Sequence, residues 1–103
     1  MSVLGYLRVS VRFFTILREL TRKKEEVLEF PEGENVTIAA VLEKLSKRYG
    51  RKFSEYVYEK KTREVKGYLQ FLVNGRSMAS FKGLETVLAD GDVLAIIPPV
   101  GGG

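Results

Sequence analysis

At 103 residues, 45% of them hydrophobic and 29% charged, the chain fits one small domain with one core, without room for separate cofactor and substrate domains. It contains neither cysteine nor histidine, which excludes disulfides, thiolate nucleophiles, iron–sulfur clusters and Cys/His zinc sites, and removes the commonest general base near neutral pH. The formal charge of +4 raises nucleic acid as a partner, but runs such as Lys23-Lys24-Glu25-Glu26 interleave the signs as a solvated surface does. No nucleic-acid partner is expected. Lysine and glutamate are abundant while Asn35, Gln70 and Asn74 are the only amides, a composition that leans toward a thermophilic source. No stretch approaches the ~20 apolar residues of a membrane span. The first residues lack the basic segment and long apolar run of a signal peptide, so the expected location is cytoplasmic, with no membrane partner.

In chain order, Val9, Val11 and Phe13 alternate with Arg8, Ser10 and Arg12, which predicts a half-buried strand over 8–14. Ile16, Leu17 and Leu20 have the spacing of one or two helical turns. A second strand is predicted over 26–30, with Leu28 and Phe30 on one face, closed by a turn at Pro31 and Gly33. The clearest element starts near Thr37: Ile38, Val41, Leu42, Leu45 and Tyr49 form one apolar helical stripe, with Thr37 as N-cap and Gly50 at the end. Phe53, Tyr56 and Val57 suit a further amphipathic turn, and the charged residues 59–66 read as an exposed loop. A third strand is predicted over 68–73, where Asn74-Gly75 signals a tight hairpin into a short partner over 76–78. Leu84, Val87 and Leu88 lead to a turn at Asp90-Gly91-Asp92. The last strand spans 93–97 and stops at Pro98-Pro99, since proline cannot donate to the ladder.

This order is not an alternating βαβα pattern. The simplest packing lays the main helix across one face of a mixed sheet, with the first and last strands side by side in the middle. The predicted class is therefore α+β, a ubiquitin-like β-grasp domain over 1–97, followed by a flexible C-terminal tail over 98–103. If Val11, Phe13, Phe71, Leu94 and Ile96 face the helix, alternation sends Phe14, Leu72, Val93 and Ile97 to the other face, near the root of the tail. A contiguous apolar patch there marks a partner-binding surface.

The tail itself, Pro98-Pro99-Val100-Gly101-Gly102-Gly103, is the most informative stretch. An α-carboxyl is an inert anion with a pKa of about 3.3–3.7 and becomes electrophilic only when activated, as in an acyl-adenylate. Activation needs the terminus deep in a narrow, water-excluding channel, where glycine fits because it lacks a Cβ. Extended at about 3.3–3.6 Å per residue, such a tail reaches roughly 20 Å. The two prolines stiffen its base, so less entropy is lost on insertion.

Residues 11–20 (VRFFTILREL), 37–42 (TIAAVL), 88–94 (LADGDVL) and 98–103 (PPVGGG) resemble the small subunit of molybdopterin synthase, the MoaD-type sulfur carriers. The chain departs from that pattern at Gly101, where a small residue such as alanine is usual, in the longer segment 51–66 and in the extension over 1–7. The resemblance implies a non-catalytic sulfur-donating subunit that binds no cofactor of its own. An E1-like enzyme uses ATP to adenylate the carboxylate of Gly103, and a sulfur donor converts it to a thiocarboxylate. The large synthase subunit, in a heterotetramer, accepts the tail, and sulfur passes to a pterin precursor to build the dithiolene of the molybdenum or tungsten cofactor. The alternative is a ubiquitin-like modifier joined through Gly103 to target lysines; it uses the same adenylation. A thiamine-pathway carrier fits less well, because those chains are shorter and lack the diproline. No stand-alone enzyme is expected, because the carboxylates have no evident partner constellation.

Overall fold

The two-residue alternation and the helical stripe both become regular structure in the computed structural model, which describes residues 5–99. The strands are β1 (Tyr6–Phe13), β2 (Glu25–Pro31), β3 (Gln70–Val73), β4 (Arg76–Ser77) and β5 (Val93–Ile97). The helices are α1 (Ile16–Thr21), α2 (Ile38–Tyr49) and α3 (Arg51–Val57), with two 3₁₀ turns at Met78–Ser80 and Gly83–Glu85. One sheet holds all five strands in the order β2-β1-β5-β3-β4. β5 runs parallel to β1 and antiparallel to β3, so the first and last strands do lie side by side in the centre. This is the ubiquitin-like β-grasp architecture.

The core follows from the parity of the strands. Val9, Val11 and Phe13 of β1, Leu28 and Phe30 of β2, Phe71 and Val73 of β3, and Leu94 and Ile96 of β5 are all buried. They meet Ile38, Val41, Leu42 and Leu45 of α2, the predicted stripe. The Thr37 hydroxyl accepts from the Ala40 amide at 3.1 Å, satisfying one of the free donors at the start of that helix. Gly50, at φ 84, ends it in a conformation that costs a Cβ-bearing residue strain. The chain then restarts as α3, which buries Phe53 and Val57.

Several boundaries differ from the sequence expectation: β1 already starts at Tyr6, and β2 runs one residue further at each end, from Glu25 to Pro31. β1 ends at Phe13 because Thr15, at φ 49, turns the chain into α1, so Phe14 lies beyond the ladder. β3 begins at Gln70, not at 68: the Leu69 amide donates to the Lys66 carbonyl at 3.3 Å, and the Tyr68 ring packs on Tyr56 with centroids 6.4 Å apart. The short partner strand ends at Ser77, and Met78 already belongs to a 3₁₀ turn. The charged loop is exposed as expected, yet it is tied down. The Glu59 amide donates to the Glu64 carbonyl at 2.7 Å, and the Lys66 amide to the Val57 carbonyl at 2.8 Å.

One core-side position of β2 carries a charge. The Glu26 carboxylate, 7% exposed, accepts hydrogen bonds from Lys23 Nζ at 2.8 Å, from the Arg48 guanidinium and from the Tyr49 hydroxyl. Burial alone pushes its pKa up, but the bonds from Lys23 and Tyr49 and the charges of Arg48 and Lys23 outweigh burial and hold it below the ordinary value. Tyr49 is pushed up to about 12 by burial and by the Glu26 carboxylate. Unfolded tyrosine ionises at about 10, so this bond's contribution is present below that pH and fades as pH climbs toward the folded value. Tyr49→Phe is expected to cost about 1 kcal/mol near neutral pH. The gap in Tm between the two proteins should close as pH rises from about 10 to the folded value of about 12. A gap that stays constant contradicts the pairing.

Candidate functional site: the root of the C-terminal tail

β5 carries the tail, and both of its ends are fixed. At its start, the Asp90-Gly91-Asp92 turn clamps three strands together. Asp90 Oδ1 accepts from the Arg8 amide at 2.8 Å, and the Gly91 amide donates to the Arg8 carbonyl at 2.8 Å. Asp92 Oδ2 accepts from the Ala89 amide at 2.7 Å, while Asp92 Oδ1 accepts from Asn74 Nδ2 at 2.9 Å. Asn74 Oδ1 in turn accepts from the Val93 amide at 2.9 Å. The two motifs that stood out as turns thus lock onto each other, and they set the register of β5 between β1 and β3. They lie at the end opposite the tail, so their role is to position the strand.

At the other end, Ile97 lies opposite Gln70 of β3, and the preceding Ile96 lies opposite Phe13 of β1. Pro98 is buried and Pro99 half-buried. The chain therefore leaves the middle of the sheet from a packed base. Val100, Gly101, Gly102 and Gly103 lie outside the described residues.

Leu72, Val93 and Ile97 share the face of the sheet away from the helices, with Ala95 between them: Leu72 lies opposite Ala95, and Val93 opposite Ser10. All three are half-buried, because side chains on strands about 4.8 Å apart shade one another. Phe14 is also half-buried, just past the last pair of β1, with the Arg18 guanidinium 5.3 Å from its ring centroid. The strongly exposed large apolar side chains are instead Tyr6, Val27, Tyr68, Phe81 and Val87. Sequence reasoning did not single out the Glu26 cluster. Its signal was present, since Glu26 has the same parity as Leu28 and Phe30.

Among the described residues, no group of three or more Asp or Glu side chains is placed to hold a metal ion, and no helix is long and apolar enough to cross a membrane. What the arrangement offers is a rigid base for a short C-terminal segment.

Comparison with known proteins decides the lineage. The model of the ThiS family matches residues 11–103, from the middle of β1 to the last glycine. The chain belongs to the ThiS family. Small archaeal modifier protein 3 of Haloferax volcanii is 30% identical over 97 residues, covering 94% of this chain and 100% of that protein. The solution structure of small archaeal modifier protein 1 from Methanosarcina acetivorans superposes with a TM-score of 0.80 at 31% identity, covering 96% of this chain and 99% of that one. A putative molybdopterin converting factor subunit 1 from Pyrococcus furiosus gives a TM-score of 0.70 at 31% identity, covering 91% and 99%. This ThiS-family chain is thus a MoaD-like β-grasp protein, one of the small ubiquitin-like sulfur carriers and modifiers.

Proposed function

We propose that this ThiS-family protein is the sulfur carrier of molybdopterin synthase, its small subunit, and that Gly103 bears the sulfur as a C-terminal thiocarboxylate. The observation that carries the reading is the junction at Ile97: a central strand, locked at its start by Asp90 and Asp92, ends in a buried Pro98 and a half-buried Pro99, directly before Val100 and three glycines. A tail on such a base can be threaded into another protein's active site with its origin fixed, which limits the entropy lost on insertion. The chain has neither cysteine nor histidine, and the tail chemistry needs neither from it. An E1-like enzyme adenylates the Gly103 carboxylate with ATP, releasing pyrophosphate. A sulfur donor then displaces AMP to leave the thiocarboxylate, whose sulfur attacks the pterin precursor held by the large subunit. Pro98 and Pro99 stiffen the arm, while Val100, Gly101 and Gly102 are the part that enters the partner's narrow channel, where glycine fits for lack of a Cβ.

The outer face around Leu72, Val93 and Ile97, with Phe14 at its border, is the docking surface for both enzymes in this reading. The likeness to a molybdopterin converting factor subunit supports the synthase role, whereas the archaeal modifier relatives favour conjugation of Gly103 to lysines as the second reading. A mixture of the chain, its host's adenylating enzyme, ATP, a sulfide donor, the large subunit and the pterin precursor separates the two. Dithiolene is expected with the wild type. Ile97→Arg, which places a charge at the tail's root on the outer face, should slow its formation at least about ten-fold, the effect of 1.4 kcal/mol. Failure of the wild type to form dithiolene, together with isopeptide-linked lysines, contradicts the synthase reading in favour of the modifier.

A further inference from the structure

The positive charge of this chain is concentrated in a segment that the tail chemistry does not use. Residues 51–66 carry six cationic side chains against three carboxylates, a net +3 out of the chain's +4. They fold into α3 and the hydrogen-bonded loop after it, and between them lies an open groove of about 700 Å³. Arg51, Lys60, Arg63 and Lys66 line it, together with Glu55 and Glu59. Lys66 is used to hold the wall: its ammonium donates to the Glu55 carbonyl at 2.9 Å and stands 6.0 and 5.9 Å from the Tyr56 and Tyr68 rings. Arg51, Lys60 and Arg63 take part in no ion pair or side-chain hydrogen bond among the described residues.

The groove also has a definite place. Phe53 of α3 lies 6.0 Å from Tyr49, which meets Phe13 edge-on at 6.1 Å, and Phe13 pairs with Ile96. From Lys66 the chain continues into Gln70, the partner of Ile97. The cationic groove therefore sits at the end of the sheet from which the chain leaves β5, on the helix side. A protein engaged with the outer face and the tail has the groove within reach around that end.

We propose that this groove is a second docking site, and that its occupant is an acidic peptide segment of a protein partner. The mixed lining favours peptide over nucleic acid. Two carboxylates between the cations repel a bare phosphate chain, whereas a segment bearing aspartate or glutamate beside its own amide donors matches both signs. The inference rests on the tail reading only for which protein carries that segment.

The test uses a short fluorescent peptide of alternating glutamate and leucine, its glutamine counterpart, and an oligouridylate of matched charge. The full chain should bind the glutamate peptide at least about ten-fold tighter than the glutamine one, with an affinity that falls as salt screens it. Arg51→Gln/Lys60→Gln/Arg63→Asn should bind it about ten-fold more weakly, the combined effect of three partly exposed pairs. Asparagine is chosen at position 63 because Arg63 has φ 66, a region asparagine tolerates. Lys24→Gln/Arg76→Gln/Lys82→Gln removes the same charge elsewhere and should bind as the wild type does. A chain ending at Pro99 should also bind normally, so failure of the tail chemistry leaves this result standing. Equal losses in the two triple variants, or tighter binding of the oligouridylate, overturns the proposal.

Discussion

Deleting Gly103 is expected to abolish adenylation of this chain while leaving its thermal unfolding unchanged. The deletion draws the reactive carboxylate back by about 3.3–3.6 Å, the length of one extended residue. Adenylation requires the attacking oxygen within about 3–3.5 Å of the α-phosphorus, and a misplacement of 1 Å alone costs about 100-fold. Ile97 and the buried Pro98 fix the root of the tail, so the body cannot slide forward to make up the lost length. Stability should not change, because the last residue lies beyond β5 and its packed base. ATP–pyrophosphate exchange catalysed by the host's E1-like enzyme reads the step directly. Exchange at the wild-type rate with the truncated chain contradicts the mechanism, and an altered Tm contradicts the division between body and tail.

Phe13→Ala is expected to be the most damaging single substitution in the body, at about 3–5 kcal/mol. Phe13 is fully buried where the two central strands meet the helices: it pairs with Ile96 of β5 and packs edge-on against Tyr49 of α2. Truncation removes an aromatic side chain from water-free packing and leaves a cavity, and sheet and helices can close only part of it. Domains of this size have about 5–15 kcal/mol of stability in total, so the loss is a large share. The backbone of Phe13 also receives the Arg18 Nε at 2.9 Å and donates to the Lys24 carbonyl at 2.9 Å, contacts that survive in the variant. Denaturant unfolding should therefore show a lower midpoint with an unchanged slope. A loss below about 1 kcal/mol places Phe13 outside the core.

The body of the fold was legible because burial imposes period on the chain. The alternation around Val11 and the stripe from Ile38 to Leu45 are what one-sided burial in a strand and a helix requires, and both formed as read. Asn74-Gly75 and Asp90-Gly91-Asp92 marked turns for backbone reasons, with Gly75 at φ 85 and Gly91 at φ 88. That the two turns bind each other was not legible, because their contact spans the hairpin and the loop back to β5. The end of β1 was placed one residue too late for a related reason. Phe14 continues the alternation, but the positive φ of Thr15 diverts the chain first, and no propensity marks threonine for that conformation. Glu26 had inward parity yet read as surface charge, since its compensation comes from Arg48 and Tyr49, more than twenty positions away. The reading of the tail has a different basis: it rests on chemical composition, and its residues 100–103 lie outside the described residues.

In the proposed function, the reactive atom of this protein is sulfur carried on its own C-terminus. Intact mass spectrometry of the protein purified from its native host tests this most directly. The spectrum should contain a species heavier than the free acid by the difference between sulfur and oxygen, with the gain confined to the fragment that contains Gly103. Hydrolysis should restore the free-acid mass. A population carrying only the free acid, or only species enlarged by whole proteins through isopeptide bonds, contradicts the sulfur-carrier reading.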